Sequence, residues 1–121
     1  ATWPARAVQI WQILVGAAQN RQTLTYGRLA ELLHFKGAGT LGGMLGHIFY
    51  FCRENELPPL TALVVNHDTG LPGEGLIGVD LNAAREKVYL LDWYGIVPPS
   101  PEEFEAAFDR GKKTQIAAGE R

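Results

Sequence analysis

Three histidines, one cysteine and a few loop carboxylates are the side chains here that could do covalent or metal chemistry. His34, His47 and His67 are 13 and 20 residues apart, unlike the i, i+4 pair of a helical zinc site, and no second thiolate helps them. They read as ordinary surface histidines. Cys52 falls on an apolar helical stripe with no histidine as its neighbour on that face, which is the setting of a buried structural thiol and not of a nucleophile. Asp68 and Glu74 lie in a polar, glycine-rich stretch with no apolar pocket to tune an acid–base pair. The run Gly70-Leu71-Pro72-Gly73-Glu74-Gly75 lacks the Gly-Lys-Ser/Thr ending of a phosphate loop and reads as turn geometry. Thr61, Asn66 and Asp68 have no evident activating base. The expectation is no catalytic residue, no metal and no cofactor.

A second set of residues has a different chemistry. Arg28, Lys36 and Arg53, with His47 and Tyr50, could touch phosphates or bases, although Glu31, Glu54 and Glu56 nearby weaken any positive field. Gly42, Gly43 and Gly46 fall inside one predicted helix, where each costs about 0.5–1 kcal/mol relative to alanine. Close approach of another backbone or of a ligand is the compensation such residues imply. Gly43 lies on the polar face, so external approach is expected there, with Gly42 and Gly46 serving internal packing.

The elements that must position these residues follow from caps and periodicity. Thr2 before Pro4 starts a helix, along which Val8, Trp11, Leu14, Val15 and Ala18 share a face. After a polar turn at Asn20-Arg21-Gln22, Thr25 caps a short second helix with Tyr26, Leu29, Ala30 and Leu33 apolar. A break from His34 to Gly39 leads to a third helix with the stripe Leu41, Met44, Leu45, Ile48, Phe51 and Cys52. Its opposite face, Thr40, Gly43, His47, Tyr50 and Glu54, is expected to point outward. Pro58-Pro59 ends it, Leu60 to Val65 is β-prone, and Asn66 to Gly75 reads as a turn and a wing-like hairpin. Asp80 caps a fourth helix from Leu81 to about Tyr94, with Ala84, Val88, Leu91 and Trp93 inward. Ser100, Pro101 and Glu103 form a capping box before a last helix in which Phe104, Ala107 and Phe108 share a side. The tail from Gly111 onward is polar and is expected to fray.

With 121 residues, 46% hydrophobic and 20% charged, the chain suits one domain and excludes wholesale disorder. A net charge of −2, from eleven basic and thirteen acidic residues, excludes nucleic-acid binding by bulk charge alone. The single cysteine allows no internal disulfide and suits a reducing compartment. The sequence has no apolar run of the roughly 20 residues that cross a bilayer, and Ala1-Thr2-Trp3-Pro4 does not resemble a signal peptide. A cytoplasmic location without membrane contact is expected.

The run Thr-Tyr-Gly-Arg-Leu-Ala-Glu-Leu at 25–32, the small-residue turn Gly37-Ala38-Gly39-Thr40-Leu41-Gly42-Gly43, Leu60 to Asn66 and Lys87-Val88-Tyr89-Leu90-Leu91 stand in a telling order. Together with Ile10-Trp11 they resemble the DNA-binding domain of alkylguanine-DNA alkyltransferases and alkyltransferase-like proteins, over about residues 8–96. The resemblance implies a winged helix-turn-helix, α+β and mostly helical, with a short β-hairpin wing and extra C-terminal helices over 1–111, and 112–121 as tail. It implies binding in a minor groove of duplex DNA through Tyr26, Ala38, Gly39, Thr40, Gly42 and Gly43. The family's acceptor cysteine and its activating histidine fall on Thr61 and Ala62, and its intercalating arginine on Gly39. Alkyl transfer needs an activated thiolate, so the implied function is DNA binding without that reaction. A competing expectation is a protein-interaction or self-associating module, motivated by Trp3, Tyr50, Trp93, Tyr94 and Ile96 as exposed apolar content.

Overall fold

A computed structural model describes residues 2–72, 76 and 80–119. The chain is mostly helical with one small parallel sheet, an α+β arrangement. Helix α1 (Trp3–Gln19) starts where Thr2 Oγ1 accepts from the Ala5 N–H at 3.3 Å, with Pro4 in the first turn. Strand β1 (Leu24–Thr25) runs into α2 (Tyr26–Leu32), capped by Thr25 Oγ1 accepting from the Arg28 N–H at 3.0 Å. Helix α3 spans Leu41–Glu54. Strand β2 (Val64–Val65), α4 (Leu81–Leu90) and α5 (Pro101–Gly119) complete the order. Asp80 caps α4, and Ser100 and Glu103 cap α5 reciprocally at 3.1 and 3.2 Å. These starts are where local side-chain chemistry puts them.

The core lies between α1, α3 and the start of α5. Ile10, Leu14, Leu41, Ile48 and Phe104 are fully buried. Trp11 stacks edge-on to Phe51 and Trp93 at centroid distances of 5.7 and 5.5 Å. The Trp93 indole N–H donates to the Val88 carbonyl at 2.7 Å, which satisfies its polar end inside the core.

Several expectations are corrected. Leu60–Leu63 forms a 3-10 turn, so only Val64 and Val65 of the β-prone run are strand. They pair in parallel with Leu24 and Thr25, where the sequence suggested a hairpin. Of the wing-like segment from Asn66 to Gly75, residues 73–75 lie outside the described residues; its first turn is seen, with the Asn66 N–H donating to Leu71 O at 2.8 Å and Gly70 at a φ of 67°. Helix α4 ends at Leu90 and not near Tyr94; Trp93–Gly95 is a separate 3-10 turn closed by Asp92. Helix α5 passes through position 111 and continues to Gly119, where a fraying tail was expected.

The largest correction concerns α3. The face expected to be open is roofed by α5 and by the first residue of α1. His47 is buried, 3% exposed, and its ring lies flat on Phe108 at 4.1 Å and 3°. His47 Nδ1 is 2.7 Å from the Gly43 carbonyl. A Cβ on Gly43 would collide with the Trp3 ring, and one on Gly46 would lie 3.0 Å from Phe108. One on Gly111 would collide with Tyr50. Arg110 donates to both Glu54 oxygens at 2.7 and 2.8 Å. Aromatic rings seated on glycines therefore hold three helices together on this side.

Candidate nucleic-acid interface

What remains open of the expected DNA-contacting set is the turn between α2 and α3 and the N-terminal end of α3. Lys36, Gly39, Thr40 and Gly42 are exposed and Ala38 is half-buried. A side chain added at Gly37, Gly39 or Gly42 would meet nothing within 4 Å. Thr40 stands at the N-cap with helical backbone and no side-chain capping hydrogen bond, so the positive end of the α3 dipole faces this turn without a side-chain oxygen over it. Arg28 is exposed on α2 and pairs with Glu31 at 3.0 Å. Such a surface pair contributes little and can be exchanged for a phosphate. Tyr26 begins α2, half-buried.

The structure separates the remaining members. Gly43 and His47 are covered as described, and Tyr50 packs over Gly111. Arg53 is exposed at the far end of α3, with its guanidinium 4.9 Å from the Tyr50 ring and 5.8 Å from Phe49. Eleven residues separate it from Gly42, about 16 Å along a helix. The roles expected of Gly42 and Gly43 are exchanged: Gly42 is the open one, and Gly43 serves internal packing.

Thr61 and Ala62, which the resemblance sets at the acceptor and base positions, are 8% and 0% exposed. The Ala62 carbonyl accepts from Arg85 Nε at 3.1 Å. This place is closed and holds no nucleophile with a base. Cys52 is also buried at 1%, and burial pushes its thiol up to about 12 against a weaker opposing hydrogen bond with the Leu60 backbone. It is a packing residue, as its place in the stripe implied. His34 and His67 are exposed; among the described residues no cluster of three metal-ligating side chains forms, and no helix is long and apolar enough to cross a membrane.

Sequence reasoning missed one feature, a groove of about 630 Å3 between the end of α3, Pro58-Pro59 and α4. Phe49, Leu57 and Leu76 are among its apolar lining, and Arg53 and Lys87 stand along it together with Glu56 and Asp80. No periodicity joins these positions, so no linear signal could have found it. Comparison of the chain with protein-family models, curated proteins and solved structures gives no match.

Proposed function

We propose that this domain binds nucleic acid without reacting with it, using the open N-terminal end of α3 as its docking edge. It is a winged-helix-like unit of the kind found in DNA alkyltransferases. The observation that carries this reading is the cluster of exposed small residues at 37, 39 and 42, into which nothing in the fold projects, with exposed Lys36 next to them in the chain and Arg28 exposed on α2. A phosphate backbone needs that closeness to reach helix N–H groups. The order of Thr25-capped α2, α3 and the short strand at Val64–Val65 supports the same reading. Thr61 and Ala62 support the absence of alkyl transfer, and a single reduced thiol suits the cytoplasm.

The test is fluorescence anisotropy of the full chain with labelled duplex at two ionic strengths. Association should fall steeply between about 50 and 200 mM salt, and Lys36→Glu should weaken every sequence alike. Absence of binding to duplex and to single strands at the lower salt refutes the proposal.

A second reading has its own observation. Leu90, Tyr94 and Val97 are 76%, 70% and 86% exposed within eight consecutive residues, a concentration of apolar surface suited to a protein partner or to self-association. Trp93, expected among them, is buried, and Tyr50 and Ile96 are half-buried. Sedimentation velocity across a wide concentration range, showing a dimer together with no affinity for nucleic acid, would favour this reading.

A further inference from the structure

We infer that Trp3 is a stacking platform for an unpaired base, which makes single-stranded nucleic acid the preferred ligand of this edge; the inference rests on the nucleic-acid reading above. Of the three tryptophans, Trp11 and Trp93 are 2% and 1% exposed, whereas Trp3 is 45% exposed. Its ring is seated on Gly43, next along the helix to the open Gly42. An indole held against a backbone with half its surface in solvent is already ordered, so little side-chain entropy is lost when a base covers it.

Residues that follow on α1 and in the turn after α2 have the right chemistry. Arg6, three residues on along α1, is on the same side of that helix. Its guanidinium lies 5.1 Å over the Phe35 ring and donates to Gln9 Oε1 at 3.0 Å. Lys36 follows Phe35 and is exposed. Arginine and lysine interleaved with aromatic rings is the composition of surfaces that track a single strand, with cations on phosphates and rings on base faces. A duplex keeps its base faces inside the stack, so an indole gains nothing there. A chain of net charge −2 also gains little from bulk attraction to duplex, and stacking is the term that charge does not limit.

The experiment titrates the full chain with an oligothymidylate of about a dozen nucleotides and with a hairpin duplex of similar length, following anisotropy and indole emission together. The single strand should bind about tenfold or more tightly than the duplex and quench the emission over the same concentrations. Trp3→Leu should lower single-strand affinity about tenfold and leave duplex affinity unchanged. Trp3→Phe keeps a ring over Gly43; it should restore binding to within about threefold and abolish the quench, because Trp11 and Trp93 are buried. Equal affinity for the two forms, a silent Trp3→Leu, or quenching that persists in Trp3→Phe overturns the inference while leaving duplex binding intact. Failure to bind either form overturns the underlying reading as well. Where red-shifted emission from Trp11 and Trp93 shows Trp3→Leu to be unfolded, Trp3→Phe decides: single-strand binding within about threefold without the quench supports the inference, and a tenfold loss overturns it.

Discussion

Alanine at Gly42 and alanine at Gly43 should move stability in opposite directions, although the two positions are adjacent in one helix. At Gly42 the new methyl meets nothing within 4 Å. The change therefore recovers helix propensity, about 0.5–1 kcal/mol, with the lower figure apt for a first-turn position. For a chain of this size that is a rise in Tm of roughly 2–6 °C. At Gly43 the methyl falls on the Trp3 ring, which must swing away and give up its contact. Overpacking of this kind costs about 1–3 kcal/mol, more than the propensity gain returns. Thermal unfolding by circular dichroism reads both effects. The same Gly42→Ala protein then tests function, since its methyl stands where a phosphate would approach. It should bind nucleic acid about tenfold more weakly while being the more stable protein, a loss near 1.4 kcal/mol. A destabilised Gly42→Ala refutes the openness of Gly42, and a stabilised Gly43→Ala refutes the placement of Trp3. A stabilised Gly42→Ala with unchanged affinity refutes the docking edge instead.

Cys52 should make stability fall at alkaline pH. Its thiol is raised by burial to about 12 from an ordinary value of 9.0; below that ordinary value folded and unfolded states are both protonated, and above it the unfolded chain ionises first. Between about pH 9 and 12 the loss approaches 1.4 kcal/mol per unit, so urea melts of wild type and Cys52→Ala should diverge there and run parallel below pH 8; parallel curves throughout would contradict the burial. Glu54 has the opposite sign: its hydrogen bond from Arg110 holds its carboxyl below the ordinary value of 4.5, giving stability that is present above that value and lost as pH falls through the lowered one. The pair is solvent-accessible, so Glu54→Gln should flatten acid unfolding only slightly, and a large effect would mean that more than this ion pair holds α5 down. Phe104→Ala should cost about 3–5 kcal/mol, because Phe104 is fully buried against Trp11 and Phe51; a cost under about 1 kcal/mol in denaturant melts would place the start of α5 outside the core.

The helix starts were legible because each depends on one or two side chains acting on backbone a few residues away. Thr2, Thr25, Asp80 and the Ser100–Glu103 box need no tertiary partner to exert that preference. The stripe of α3 was legible for a similar reason, since its period belongs to the helix itself. The run from Leu60 to Leu63 was not, because residues of β character follow Pro59 into a tight turn where burial, and not pairing, decides their conformation. Of the expected contact residues, Lys36, Gly39, Thr40 and Gly42 are open, whereas Gly43 and His47 are covered. Trp3 was noted only as exposed apolar content, because its place beside Gly43 depends on how α1 crosses α3.

The roof over α3 had a sequence signal whose continuation is Gly111. Phe104, Ala107, Phe108 and Gly111 follow the same i, i+3, i+4, i+7 spacing as the stripe of α3. Gly111 reads as a helix end when glycine is taken for a terminator, yet here it is the small residue that admits Tyr50. The same ambiguity governs Gly43 and Gly46: a glycine in a helix says that something comes close, and not from which side. Trp3 and Phe108 resolve it for these two by coming from within the fold. Gly42 is left as the position in α3 whose cost nothing internal offsets, and an unmet cost at the uncapped end of a helix beside exposed cations is the physical reason to look for a phosphate there.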